Sequence, residues 1–217
     1  MSRNARLGLW LAFVGALIAL AYDARAAAGK PSSDILYHYS TAAAAAVQYA
    51  VMLGIVVGIA GGSRRLLALR PPASWGRALG LGLAVFVGIY AVERVVDPFL
   101  HPGREQGLTP HGWQPAHAGA YAANFVVVAI VGPIVEEITY RGLGATLLAR
   151  FGAVFSILGT GVLFGLSHGL VDALPVLAAF GWGLAWLRFR TGSAYPGMVV
   201  HGCFNALALI AAVTIGG

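Results

Sequence analysis

Residues 126–148 read VVVAIVGPIVEEITYRGLGATLL, and this stretch decides the fold. It is apolar over Val126–Val135 and again over Leu143–Leu148, the composition of a membrane-crossing helix. Between those halves lie Glu136, Glu137 and Arg141. Burying one ionised side chain in hydrocarbon costs at least ~2.5–3.5 kcal/mol on insertion scales. An ionisable cluster inside a membrane segment therefore points to a functional site. On a helix Glu137 and Arg141 stand four apart and share a face. Glu136 points about 100° away. The division this suggests is that Arg141 neutralises Glu137 and leaves Glu136 free. Pro133 just upstream releases backbone hydrogen bonds and is expected to kink the helix near the pair.

The rest of the chain supports a membrane setting. Its 217 residues are 59% hydrophobic and only 10% charged, with a mean hydropathy of +0.78. A soluble domain carries roughly 25% charged residues, so the fold class is all-α, a polytopic transmembrane helical bundle. Spans need ~20 mostly apolar residues. Seven segments qualify or nearly so: about 7–22, 41–60, 77–97, 118–149, 153–171, 173–189 and 195–215. The fourth is long enough that a break or strong tilt is expected. The chain thus forms one membrane domain, 1–217, with a four-helix core over 118–215. The polar segment 97–117 holds four prolines and His101, His111 and His117, and is expected to form a loop that could act as a lid.

Basic residues set the expected orientation. Arg3 and Arg6, Arg64, Arg65, Arg70 and Arg77, Arg150, and Arg188 and Arg190 all fall on one side if the N-terminus is cytoplasmic. The net charge of +6 is then topological. Nucleic-acid binding is excluded, because no arginine-rich run with interleaved aromatic residues is present. Cys203 stands alone, so there is neither a disulfide framework nor a cysteine metal knuckle. Arg3, Arg6, the first apolar stretch and Ala24–Ala28 also resemble a secretory signal, and an uncleaved first span is the favoured alternative. Glycines at four-residue spacing, Gly54/Gly58/Gly62 and Gly161/Gly165/Gly169, predict close helix packing, the second run on the helix of His168.

Two more polar groups interrupt apolar helices. One is Phe164-Gly-Leu-Ser-His168. The other is His201-Gly-Cys-Phe-Asn205, whose polar residues are four apart and form one stripe. Any one such group could be a structural hydrogen bond between helices, worth ~0.6–2 kcal/mol. Two carboxylates, two imidazoles and an amide from three helices exceed what packing requires. Hydrolysis does require such a set.

Glu-Glu-x-x-x-Arg, Phe-x-x-x-His and His-x-x-x-Asn, in that order on successive apolar helices, resemble the CAAX-protease and bacteriocin-processing (CPBP, formerly Abi) family of intramembrane proteases. The type II prenyl-protein endopeptidase is a relative. The local contexts EEITYRGLG, LFGLSHG and PGMVVHGCFNAL carry the same resemblance, which covers about 130–210. It implies an intramembrane endopeptidase in which Glu136 is the general base, His168 helps bind the water, and His201 and Asn205 stabilise the oxyanion. Glu137, Arg141 and Phe164 would support and orient these groups. The implied partners are the lipid bilayer and a membrane-associated protein or peptide substrate. A resemblance confined to the core leaves lipid modification of that substrate open. The implied location is an integral protein of a prokaryotic plasma membrane.

Cofactor requirement has two readings. Glu136, His168 and His201 could supply a catalytic zinc site. No His-Glu-x-x-His is present, and a metal-bound Glu136 could not also be the free base, so catalysis without a cofactor is favoured. Ser167 beside His168 is poorly placed as a nucleophile, since adjacent helical residues diverge by about 100°. A non-catalytic immunity or scaffolding protein and a small proton-coupled transporter are the competing classes. One difficulty is plain: with straight helices, His168 and His201 would be separated by more than about 10 Å of membrane depth.

Overall fold

The computed structural model describes residues 1–29, 32, 34–100, 105, 110 and 112–214. Its helices follow the hydropathy closely. They are α1 (Arg3–Ala28), α2 (Tyr39–Ala60), α3 (Trp75–Leu100), α4 (Pro115–Phe151), α5 (Ala153–Leu166), α6 (Leu174–Thr191) and α7 (Tyr195–Thr214). No strand occurs among the described residues. By length and composition α1, α2, α3, α4 and α7 can each cross a membrane, while α5 is a shorter apolar helix. Large apolar side chains such as Leu83, Val87, Ile130, Val154 and Phe155 face outward. That is the surface of a bundle solvated by lipid, and the chain is an integral membrane protein.

α1 begins at a Ser2 cap, whose hydroxyl accepts the Ala5 N–H. It is packed into the bundle: Trp10 and Val14 are fully buried, and the Trp10 indole N–H donates to the Thr139 carbonyl at 3.0 Å. Gly144 makes room for that ring, because a Cβ there would overlap the indole. α2 ends where Gly61 adopts φ +62°, a left-handed conformation that suits glycine.

α4 is continuous from Pro115 to Phe151, so the expected break does not occur. The winding changes along it instead. Val127–Val131 and Glu137–Gly144 are wound as π-helix, with α-helical Gly132–Glu136 between them. Pro133, which has no N–H to give, sits in that short middle piece. Wide turns of this kind recur at functional sites. α3 likewise runs on through Pro98 to Leu100, past the expected end at 97. Of the predicted loop, 101–104, 106–109 and 111, with His101, Pro102, Arg104 and His111 among them, lie outside the described residues.

α5 and α6 form a tight antiparallel pair. A Cβ on Gly181 would come 2.6 Å from the Gly161 Cα, and one on Gly165 would be 3.1 Å from the Ala178 backbone nitrogen. The glycine prediction therefore holds for Gly161 and Gly165. As a statement about one face of α5 it fails for Gly169, which lies beyond that helix in a turn with φ +65° and makes its close approach to the Ala21 carbonyl of α1 instead. It also fails for Gly54, Gly58 and Gly62: nothing lies within 4 Å of a Cβ placed at any of them, and Gly62 is past the end of α2.

The arginines gather as expected. Arg3 donates to the Thr146 carbonyl, Arg150 to the Asn4 side chain, Arg70 to the Gly192 carbonyl and Arg188 to the Thr146 hydroxyl. These contacts bring the N-terminus, the α2–α3 connection, the end of α4 and the end of α6 to one end of the bundle. At the other end Arg25 pairs with Glu105 at 3.1 Å.

Candidate active site

Glu137 and Arg141 are the innermost charges of the bundle, both fully excluded from solvent. The Arg141 Nη1 lies 3.0 Å from the Glu137 Oε1, and its Nη2 donates to the Gly181 carbonyl at 3.2 Å. The guanidinium stacks over the Phe164 ring at 4.3 Å. The division expected from helical spacing is thus realised, although the turn carrying both residues is π rather than α. Gly197 at the start of α7 lets the chain approach this pair, since a Cβ there would collide with the Glu137 Oε2.

Glu136 faces elsewhere. Its Oε1 accepts the Tyr49 hydroxyl at 2.9 Å, and its Oε2 lies 3.7 Å from the His201 Nε2. The other His201 nitrogen, Nδ1, is 3.3 Å from the Glu137 Oε1. A carboxylate oxygen only accepts, so Nδ1 carries the proton in that contact and Nε2 faces Glu136. His201 therefore bridges the two glutamates. Phe164 and Phe180 pack edge-on against it, with centroids 5.7 and 5.1 Å from the imidazole.

His168 is not on α5. The helix ends at Leu166, and His168 sits in the turn before Gly169. Its Nδ1 lies 2.8 Å from the Phe164 carbonyl. A carbonyl only accepts, so Nδ1 is the protonated nitrogen and Nε2 is left for the cavity. Ser167 donates to the same carbonyl at 2.8 Å, which leaves it unsuited to a nucleophile's role. The early end of α5 also removes the depth difficulty. His168 and His201 both pack on Phe164, the former at 4.7 Å between centroids. Beyond His168, the Glu105 carboxylate accepts the backbone N–H groups of Val171 and Ala173, each at 2.9 Å, and so ties down the turn leading into α6.

Glu136, His168, His201 and Asn205 line one cavity of about 430 Å³, together with Tyr49, Glu93 and Phe164. Asn205 donates one amide proton to the Val128 carbonyl at 2.9 Å, in the first π segment, and keeps a second. A larger, mostly apolar cavity of about 800 Å³ opens between α1 and α2 and shares Tyr49, Glu136 and His168 as its wall. Glu136 thus stands between two spaces.

Among the described residues no three His, Cys, Asp or Glu side chains are arranged to hold a metal ion. The zinc set of Glu136, His168 and His201 does not fit this geometry. Sequence reasoning missed Tyr49, a phenol in the middle of the alanine-rich α2. It also missed Gly197, whose role shows only once α7 lies against Glu137.

Residues 118–207 match the type II CAAX prenyl endopeptidase Rce1-like family. The matched stretch runs from α4 into α7 and contains all three motifs, so the resemblance read from them is borne out. It supports protease activity, acting on a membrane-associated protein. No curated protein and no solved structure matches the chain.

Proposed function

We propose that this chain is an intramembrane endopeptidase that activates water with a glutamate. The supporting observation is that Glu136, His168, His201 and Asn205, from α4, the α5–α6 turn and α7, border one cavity. In this reading Glu136 takes a proton from a water held against the His168 Nε2. The water oxygen bonds to the substrate carbonyl carbon. The resulting oxyanion is met by the free Asn205 N–H and by His201, which donates from Nε2 when that nitrogen carries a proton. Protonated Glu136 then returns its proton to the leaving amine as the C–N bond breaks. Tyr49 steadies the carboxylate through the oxygen that faces away from His201. Glu137 and Arg141 hold the His201 ring in position, and Phe164 packs against both imidazoles.

The apolar cavity between α1 and α2 suits a hydrophobic or lipid-bearing segment of the substrate, brought to Glu136 from the membrane side. The arginine-rich end faces the cytoplasm by the positive-inside rule, in a prokaryotic plasma membrane.

The test compares wild type with Glu136→Gln on a peptide library presented in detergent micelles. Loss of a general base lowers turnover by about 10²–10⁴. Gln keeps the volume and can still accept from Tyr49, so the fold should persist by thermal melting. Unchanged turnover in Glu136→Gln rejects the role. Loss of wild-type turnover on chelation, together with stoichiometric bound metal, rejects the cofactor-free chemistry.

A further inference from the structure

The proposed chemistry leaves idle one acid of the 430 Å³ cavity. Glu93 of α3 lines the same wall as Glu136, His201 and Asn205. It has no hydrogen-bond or ion-pair partner among the described residues. Its surroundings in the cavity include Ile89, Val176, Leu177 and Phe204, and the lining holds no arginine or lysine. Arg94 is next in sequence but exposed, and Asp97, one turn on, adds charge of the same sign. Glu137 contributes no net charge, because Arg141 neutralises it. Two carboxylates and no fixed cation therefore border this space. Low-dielectric walls focus such a field and select the charge of what enters.

The position of Glu93 follows from the packing of α3 on α7. A Cβ on Gly82 would meet the Val200 side chain, and Phe86 packs on Phe204 with ring centroids 6.1 Å apart. Both contacts advance by four residues, so the two helices run parallel in a fixed register. In that register Glu93 is level with Ala211, which also lines the cavity. His201 lies ten residues back along α7, about 15 Å at the rise of an α-helix. An extended peptide covers that distance in about four residues.

We propose that Glu93 is a specificity-determining residue, which takes a lysine or arginine side chain of the substrate about four residues from the bond that is cut. This rests on the endopeptidase reading above. An acidic side chain at that position meets a like charge in a confined space and is rejected. The discrimination between basic and acidic residues should be about tenfold or more.

The experiment digests a synthetic peptide library with wild type, Glu93→Gln and Glu93→Lys, and identifies the cut positions by mass spectrometry. Wild type should enrich Lys and Arg, and deplete Asp and Glu, at one position about four residues from the cut. Glu93→Gln should erase that preference, and Glu93→Lys should reverse it. A wild-type digest without charge preference overturns the proposal, as does a Glu93→Gln digest that keeps the preference. A second arm measures binding without cleavage, by anisotropy of two decapeptides bearing a neutral dye and differing only in Lys against Glu. Wild type should bind the Lys peptide about tenfold more tightly, and Glu93→Gln should bind both alike. Equal binding to wild type overturns the proposal. Absence of any cleavage, with the charge preference in binding intact, overturns the endopeptidase reading alone.

Discussion

Replacing Arg141 by Met tests the physical core of the site. The guanidinium is fully buried, 3.0 Å from the Glu137 carboxylate, 4.3 Å from the Phe164 ring and bonded to the Gly181 carbonyl. Met fills most of the volume but leaves the Glu137 charge with only the 3.3 Å contact to His201. One Glu137 oxygen already has no hydrogen-bond partner among the described residues. Removing one member of a buried pair costs about 3–5 kcal/mol, because the survivor is an uncompensated charge. Replacing both, as in Arg141→Met with Glu137→Leu, removes that charge and should recover most of the loss. The measurement is unfolding of purified protein by SDS titration in mixed micelles, run on both single variants and the double variant. A loss below about 1 kcal/mol for Arg141→Met would sink the reasoning, since that is the range of an exposed pair. So would a double variant no more stable than Arg141→Met.

Four further outcomes follow from the surroundings of particular residues. Tyr49→Phe removes the hydroxyl that donates to Glu136 at 2.9 Å; a hydrogen bond to a charged group is worth about 1.5–3 kcal/mol, so the SDS titration should show a loss of about that size and turnover should fall roughly tenfold or more. Gly181→Ala places a methyl 2.6 Å from the Gly161 Cα and should cost about 1–3 kcal/mol in the same SDS assay. Gly54→Ala, with open space around it, should be close to neutral. Finally, burial raises the Glu105 pKa, but the N–H groups of Val171, Ala173 and Asp172 and the charge of Arg25 outweigh it and hold the carboxyl below its ordinary value of 4.5. A depressed folded-state pKa means that the unfolded chain binds more protons as the pH falls. The stabilisation is therefore present above the ordinary value and lost as the pH drops through the depressed one. Thermal melting across that window should show the loss in wild type, and Glu105→Gln should flatten it.

Much of this molecule was legible because membrane burial makes sequence patterns unforgiving. Seven apolar stretches had to become helices, since hydrocarbon offers backbone groups no other partner. Glu137 and Arg141 could be paired from spacing alone, because neither charge could remain buried by itself. What spacing could not reveal was the local geometry of the chain. Leu166, Ser167 and His168 read as one more turn of helix. Only the left-handed Gly169, lodged against α1, shows that α5 stops short and that His168 reaches the level of Phe164. Gly54 and Gly58 had the right interval for close packing, yet a four-residue interval marks a helix face without saying whether a neighbour covers it. The polar residues at the centre were found by their cost, whereas Tyr49 and Gly197 act through distant neighbours and carry no such mark.

The π-helical winding of Glu137–Gly144 has a consequence for insertions and deletions. A wide turn accommodates an additional residue without breaking the helix, so losing one residue from this stretch could let it relax to ordinary winding with its backbone ladder closed. The residues beyond the stretch would keep their phase, and only those between the lost residue and the end of the stretch would turn, by roughly 100° about the axis. A loss between Glu137 and Arg141 would take Arg141 off Glu137, while Leu147, beyond the stretch, would stay in the core. A single-codon deletion here would spare the helix and scramble the site.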